Sequence, residues 1–340
     1  MNDSLSPEQL HEARLQSFSN HPLRDAFYPG DKEFLQTHTL SPRLNPFARE
    51  NIAIRAVTVQ HFPNLKAVPV YQMMVDDLYA GKFDGKHTLI LPSSGNTAWV
   101  GARFAPACGF RKSTVVIPSD TPPAKRDVLA ALGELVEVLA VSDTMAKALE
   151  EAEKPGTYLL DQYSHPSNPG AHKTYTGPML RKVIKNSHQG GRPISIVAIA
   201  LGTAGTLMGV SWDLKEQYPD IRVIGVRPAV NVAIPGARNA EKMAAVVKFP
   251  WENYADGVVE TNRKEAFVET RRLGQEVEPP PGVTSGMVFL GLIRYIAQLP
   301  VKEREALRGT QAAFLCPDGV QLYSDYMTSE LDPPDGILRP

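Results

Sequence analysis

From Ile52 onward, short apolar runs of strand length alternate with stretches whose apolar residues recur at helical spacing. The strand-like runs are Ile52–Val59, Thr88–Leu91, Thr114–Ile117, Val136–Val141, Tyr158–Leu160, Ile194–Leu201, Ile221–Val226 and Ala312–Leu315. Helical spacing marks Asp127–Leu132, Met145–Ala152, Gly177–Asn186, Thr206–Glu216, Lys264–Leu273 and Met287–Leu299. Such alternation predicts an α/β fold, because parallel strands need a crossover and helices supply it. Eight strands suit one large sheet or two smaller ones. Two breakers punctuate the pattern, His165-Pro166-Ser167-Asn168-Pro169-Gly170 and Glu278-Pro279-Pro280-Pro281-Gly282. The first reads as a hinge. The expected division is a polar N-terminal arm over 1–50, one α/β domain over 51–165 and a second over 166–340. Each domain is expected to hold a mainly parallel twisted sheet flanked by helices, and the arm to pack on the large domain or on a partner subunit.

Charge narrows the partners. Lys plus Arg number 36 against 37 for Asp plus Glu, so no overall field draws in nucleic acid or an anionic membrane. A small neutral or zwitterionic substrate suits that balance. Two cysteines, Cys108 and Cys316, form no metal or disulfide motif, which points to a reducing compartment. The opening Met1–Glu8 is polar and acidic, unlike a secretory signal, and no later run has membrane-spanning length. The expected location is the cytoplasm. The eight histidines show no zinc-ligand spacing, so no metal is expected.

Four segments can carry chemistry. Leu91-Pro92-Ser93-Ser94-Gly95-Asn96-Thr97-Ala98 lies between a strand and a helix, where free backbone N–H groups and the helix dipole favour a carboxylate. The same residues would also serve as an ordinary N-cap and turn. Gly202-Thr203-Ala204-Gly205-Thr206 follows a buried strand and opens an apolar helix, an arrangement that can seat a phosphate dianion. It lacks the P-loop lysine and the dinucleotide G-x-G-x-x-G pattern. A tight turn with a close-packed glycine is the alternative. Gly282-Val283-Thr284-Ser285-Gly286 opens another apolar helix, and Asp161–Pro169 runs from a strand end into the first breaker; a helix cap and a plain linker would explain these two.

Taken in order, these segments resemble the cysteine synthase and cystathionine β-synthase family of pyridoxal-phosphate enzymes, fold type II, which includes the tryptophan synthase β-subunit-like architecture. That family carries a Thr-Ser-Gly-Asn-Thr loop, an Asp/Gln-Gln-Phe/Tyr…Asn-Pro segment, a Gly-Thr-Gly-Gly-Thr loop and a Gly-x-Ser-x-Gly turn. Here they read Ser93–Thr97, Asp161–Pro169, Gly202–Thr206 and Gly282–Gly286. The similarity also takes in His172–Pro178 and Pro219–Val226, and spans roughly residues 50–325.

The resemblance implies pyridoxal 5′-phosphate bound as a Schiff base on a lysine at a helix start. Counting back from Ser93 at the family's spacing reaches Lys66, without the flanking Asn-Pro and Asp-Arg of the family. Asn45-Pro46-Phe47-Ala48-Arg49-Glu50-Asn51 imitates the lysine motif and would put Asn51 at the reactive position. It is rejected because it needs an extra strand before the Ser-Gly-Asn loop. By resemblance, Lys66 would also act as general base and acid at the α-carbon. Asn96 would meet the cofactor's 3′-oxygen. Gly202, Thr203, Ala204, Gly205 and Thr206 would cradle its phosphate. Ala204 replaces a glycine, a methyl group that tightens the loop unless φ is positive. Thr284 would face the pyridine nitrogen, and a neutral hydroxyl there leaves that nitrogen largely unprotonated. Ser93, Ser94, Gly95, Asn96, Thr97 and Gln162 would grip the substrate carboxylate.

The implied reaction is β-replacement on an O-activated serine or similar amino acid, through an aminoacrylate to which a small nucleophile adds. The changes around Lys66, Met287, and Pro317-Asp318-Gly319 in place of a family Pro-Asp-Ser-Gly point to a specialised pathway member. A β-eliminating deaminase or lyase is the enzymatic alternative. A catalytically inactive binding protein is the alternative of another class. A homodimer follows from the resemblance.

Overall fold

The computed structural model describes residues 6–121, 123–189 and 191–323. In chain order the first elements are α1 (Pro7–Ser19), α2 (Pro22–Phe27), β1 (Leu35–Thr39), β2 (Ala53–Val59) and α3 (Ala67–Tyr79). Next come β3 (Thr88–Pro92), α4 (Asn96–Phe104), β4 (Lys112–Pro118), α5 (Pro123–Ala130), β5 (Val136–Val141), α6 (Thr144–Ala152) and β6 (Thr157–Leu159). The second half holds α7 (Ser167–Ala171), a π-helical turn at His172–Thr176, α8 (Gly177–Gln189), β7 (Ile194–Ala200), α9 (Gly205–Gln217) and β8 (Arg222–Pro228). It closes with α10 (Ala240–Val246), β9 (Gly257–Thr261), α11 (Arg263–Leu273), α12 (Val283–Gln298), α13 (Val301–Ala306) and β10 (Gln311–Cys316).

The chain forms two compact units, and their borders differ from the expected division at 50 and 165. One comprises 1–31 and 66–168, the other 32–65 and 169–340. The reason is strand pairing: β2 pairs in parallel with β10, which places residues 32–65 with the C-terminal half. The first piece of the polar arm belongs to the other unit. There the Arg14 guanidinium donates to the carbonyls of Phe83, Lys86 and Gly109, fastening α1 to the turns around it.

The first unit has a four-stranded sheet in the order β5-β4-β3-β6, with every pair parallel. β3 is buried along its whole length, as expected for a parallel strand covered on both faces. Phe18, Phe27, Tyr71 and Phe104 from α1, α2, α3 and α4 pack together, with ring centroids 5.2 to 6.2 Å apart. Running from β3 through β4 to β5, the chain moves outward, then returns to place β6 on β3's other side. The direction of winding therefore reverses between β3 and β6.

The second unit has a six-stranded sheet in the order β1-β2-β10-β7-β8-β9, parallel except for the edge pair β1–β2. Its core is centred on α12, whose Phe289 packs on Phe314 of β10 at 5.3 Å between centroids. Both rings are fully buried, each burial worth roughly 2–3 kcal/mol. Winding reverses here as well. After β7, β8 and β9 the chain returns to insert β10 on the far side of β7.

Candidate active site

In open parallel sheets, ligands bind at the carboxyl ends of the strands where the winding direction reverses. Both reversals carry an expected motif. At the end of β3 lies Ser93–Thr97, and at the end of its neighbour β6 lies Gln162. At the end of β7 lies Gly202–Thr206, and at the end of its neighbour β10 lies Pro317-Asp318.

In the first unit the structure joins two residues that the sequence separates widely. The Thr97 hydroxyl donates to Gln162 Oε1 at 2.7 Å, although the two stand 65 positions apart. Both are buried, and the Gln162 carbonyl accepts from the Asn168 side-chain amide at 2.6 Å. Ser93, Ser94, Gly95 and Asn96 are half-buried. The Ser93 hydroxyl accepts from the Gly95 N–H at 3.3 Å, which curls the turn before α4.

Lys66 is half-buried at the N-cap position of α3, the helix start expected for the family lysine. Directly before it, Leu65 donates its N–H to the Pro317 carbonyl at 2.7 Å. Asn51, the rejected alternative, has a different task. It ends the 3-10 turn Ala48–Glu50 in the left-handed region at φ 58, and its Oδ1 accepts from Arg192 at 2.8 Å.

A buried carboxylate holds α3 to the strand end that carries Gln162. Asp77 of α3 accepts from the Tyr158 hydroxyl, from His165 Nε2 at 2.9 Å and from Lys82 Nζ at 2.7 Å. Burial pushes its carboxyl upward, but the hydrogen bonds from His165, Lys82 and Tyr158 prevail and hold it at about 2. Asp76 accepts from Ser167 beside it at 2.5 Å.

In the second unit, Thr203, Ala204 and Gly205 are buried, and Gly202 and Thr206 are half-buried. Ala204 has φ 64 and ψ −4, the left-handed conformation that glycine adopts freely. Its methyl group therefore costs about 1–2 kcal/mol of backbone strain, which the loop retains. The Thr206 hydroxyl meets His172 Nε2 at 3.0 Å, while His172 Nδ1 meets Thr176 at 2.9 Å. This fully buried imidazole sits in the π-helical turn, a local geometry common at functional sites.

The Gly236 turn links this loop to Thr284. A side-chain carbon on Gly202 would lie 3.0 Å from the Gly236 carbonyl oxygen. One on Gly236, whose φ is +86, would lie 3.0 Å from Thr284 Cγ2. Only glycine meets both demands at 236. Thr284 is buried, and its hydroxyl donates to Asp318. Gly236 belongs to no recognised run, so its signal is tertiary alone, while Asp318 lies in the Pro317-Asp318-Gly319 run noted in the sequence.

Helix starts at these loops differ from several others, although α13 also lacks a side-chain cap. α1, α6 and α11 are closed by the side chains of Ser6, Asp143 and Asn262. α3, α4, α9 and α12, which begin at Lys66, Ser93–Thr97, Gly202–Thr206 and Gly282–Thr284, have no side-chain cap. Their positive ends remain for other partners.

Residues 37–307 match the family described as pyridoxal-phosphate dependent enzyme. The chain belongs to this family. Among curated relatives of this pyridoxal-phosphate enzyme, a probable cysteine synthase of Bacillus subtilis (strain 168) is 27% identical over 271 residues, 76% of this chain and 86% of the relative. Cysteine synthase B of Pseudomonas aeruginosa is 29% identical over 260 residues, 75% and 82% of the two chains. An O-acetylserine dependent cystathionine beta-synthase from Helicobacter pylori superposes at a TM-score of 0.70 with 25% identity, covering 89% of this chain and 96% of that one. An O-ureido-L-serine synthase shares the fold at a TM-score of 0.72 and 20% identity, over 92% and 96%. The chain is thus a fold type II pyridoxal-phosphate enzyme, and its cofactor is pyridoxal 5′-phosphate.

The residues of the second unit fit that cofactor. Its phosphate needs an anion seat, and the uncapped start of α9 behind a glycine-rich turn is one. Its ring nitrogen needs a polar neighbour in a dry setting, and Thr284 is 1% exposed. No helix among the described residues is long and apolar enough to cross a membrane.

Proposed function

We propose that this enzyme carries out β-replacement on an O-activated serine or a closely similar amino acid, exchanging its β-substituent for a small nucleophile. The observation that carries the proposal is the Thr97–Gln162 hydrogen bond at the β3–β6 reversal. It joins two residues that the resemblance assigns to the substrate carboxylate. The cysteine synthase relatives and the O-acetylserine dependent solved structure support the same chemistry.

Bound to the protein, pyridoxal phosphate supplies an aldehyde for a lysine amine and a conjugated ring that takes up electrons from the substrate's α-carbon. The chain's own groups do the rest. Lys66 would hold the cofactor, and its amine would move the proton at the substrate's α-carbon. Ser93, Ser94, Gly95, Asn96 and Thr97, at the open N-terminus of α4, bind and orient the substrate carboxylate with Gln162. Asn96 also meets the cofactor's 3′-oxygen. Gly202–Thr206 hold the phosphate, with Thr206 fixed by His172. Thr284 meets the ring nitrogen. A cytoplasmic homodimer completes the proposal, and molar-mass measurement by light scattering checks the dimer.

The test is incubation with a panel of β-substituted alanines, with and without sulfide, thiols, amines or cyanide. Replacement yields a new amino acid only when a nucleophile is present. Release of pyruvate or another oxo acid without one identifies an eliminating lyase instead. Borohydride reduction is expected to fix the cofactor on the peptide containing Lys66. Lys66→Ala is expected to lower turnover about a thousandfold or more. A Schiff-base absorbance band surviving in that variant removes Lys66 from the assignment.

A further inference from the structure

We propose that Asp77 is a positioning residue for substrate binding: by fastening Tyr158 and His165, which flank Gln162, to α3, it fixes Gln162 in its place beside Thr97. This rests on the proposed function above and deepens it, since Asp77 acts on the substrate carboxylate only through Gln162.

Gln162 needs such support. β6 pairs with β3 over Thr157–Leu159, and backbone pairing continues only to the Leu160 N–H, which donates to the Ile90 carbonyl at 3.1 Å. Gln162 stands beyond that bond, in a segment whose Pro166 and Pro169 bring no N–H to extend a ladder. The segment folds on itself instead. Asp161 accepts from the Tyr163 N–H at 2.9 Å and from the Ser164 hydroxyl at 2.5 Å, and Asn168 Nδ2 donates to the Gln162 carbonyl at 2.6 Å. These bonds set its internal shape without attaching it to a helix.

Asp77 makes the attachment. Its Oδ2 accepts from the Tyr158 hydroxyl, on the N-terminal side of Gln162, and from His165 Nε2 at 2.9 Å, on the C-terminal side. Its Oδ1 accepts from Lys82 at 2.7 Å, which pairs the buried charge. Burial opposes that charge, yet the hydrogen bonds hold the carboxyl at about 2, so both oxygens accept at neutral pH. The imidazole is aligned for its part. The Ser167 N–H donates to His165 Nδ1 at 3.2 Å, so the ring hydrogen that faces Asp77 sits on Nε2. Beside it the Ser167 hydroxyl donates to Asp76 at 2.5 Å, a second tie to the same helix. Asp77 is 1% exposed, and in so dry a setting an unpaired donor is costly, which keeps the clamp closed.

The experiment compares holoenzyme variants in two ways. One is the Kd of L-alanine, which has no leaving group, followed through the cofactor's absorbance; the other is steady-state kinetics with a β-substituted alanine that the wild type turns over. Asp77→Asn turns an amide donor toward groups that are themselves donors. It is expected to raise both Kd and KM about tenfold, with kcat within about threefold and cofactor affinity within about twofold. His165→Leu is expected to lose a similar factor. His165→Gln, whose amide nitrogen can stand in for Nε2, is expected to restore most of it. Gln162→Ala is expected to weaken binding at least as much as Asp77→Asn, and the double variant to lose less than about a further twofold, because both changes act through one side chain. An Asp77 that serves stability alone would give multiplying losses instead. Unchanged Kd in Asp77→Asn and His165→Leu overturns the proposal, as does full additivity with Gln162→Ala. If Asp77→Asn does not fold, the two His165 variants decide. Gln162→Ala binding L-alanine as tightly as the wild type refutes the reading of the substrate site itself, and this proposal with it.

Discussion

The turns Ser93–Thr97 and Gly202–Thr206 occupy equivalent places, each after a central parallel strand and before a helix without a side-chain cap. They present different groups. In the first, Gly95 is extended, four of the five residues are half-buried, and hydroxyl and amide side chains supply the polar atoms. In the second, three of the five residues are buried, Ala204 is left-handed, and the start of α9 has no side-chain cap. The contrast teaches how the same strand–turn–helix unit is specialised. A directional ligand such as an amino-acid carboxylate suits placed side chains, while a phosphate dianion suits a ring of amides.

The comparison breaks most sharply if the two turns fail to separate substrate from cofactor. Thr97→Val is expected to raise KM for the amino acid about 10- to 100-fold while cofactor affinity stays within about twofold, because a buried hydrogen-bonding group is left unpaired at Gln162. Thr206→Val is expected to do the reverse, weakening cofactor binding and sparing KM once the site is saturated. Steady-state kinetics and equilibrium dialysis together check the pair.

Acid should separate the two units. Asp77 is depressed from 3.8 to about 2, so its contribution is complete above about pH 4 and is lost as pH falls toward 2. The shift corresponds to about 2 kcal/mol of stability. In the second unit, burial raises Asp213 above the usual carboxylate range despite Arg181, so acidification there relieves a cost. Trp99 lies in the first unit and Trp212 and Trp251 in the second. Single-tryptophan variants are expected to show the Trp99 transition first as pH falls from 4 to 2, and Asp77→Asn to remove that pH dependence.

The smallest effect concerns the strained loop. Ala204→Gly is expected to stabilise the protein by about 1 kcal/mol or less, since relief of the left-handed strain is partly offset by glycine's greater freedom when unfolded. Urea denaturation midpoints check it. The corresponding change in the first turn, Gly95→Ala, relieves no such strain, because Gly95 is extended there.

Strand–helix alternation made eight of the ten strands among the described residues legible, because apolar-rich runs stand out both in buried strands such as β3 and β10 and in the edge strand β5. The two that escaped, β1 and β9, are the edges of the six-stranded sheet. Both are partly exposed, and Leu35–Thr39 and Gly257–Thr261 carry too few apolar residues to stand out from loops. The motif loops were legible for a different reason. Each is a short run whose composition is dictated by local backbone and donor needs.

Local order thus came from the chain itself: the α/β class and the turns at Ser93, Gly202 and Gly282 depend on residues near one another, whereas the helix start at Lys66 was expected from the family resemblance. Which strands pair did not. Insertion of β10 between β2 and β7 assigns residues 32–65 to the C-terminal unit and sets Asp318 behind Thr284, and no local pattern encodes either outcome. Pairing between distant strands is decided by burying both faces of the sheet at once, a condition that only the assembled tertiary structure meets.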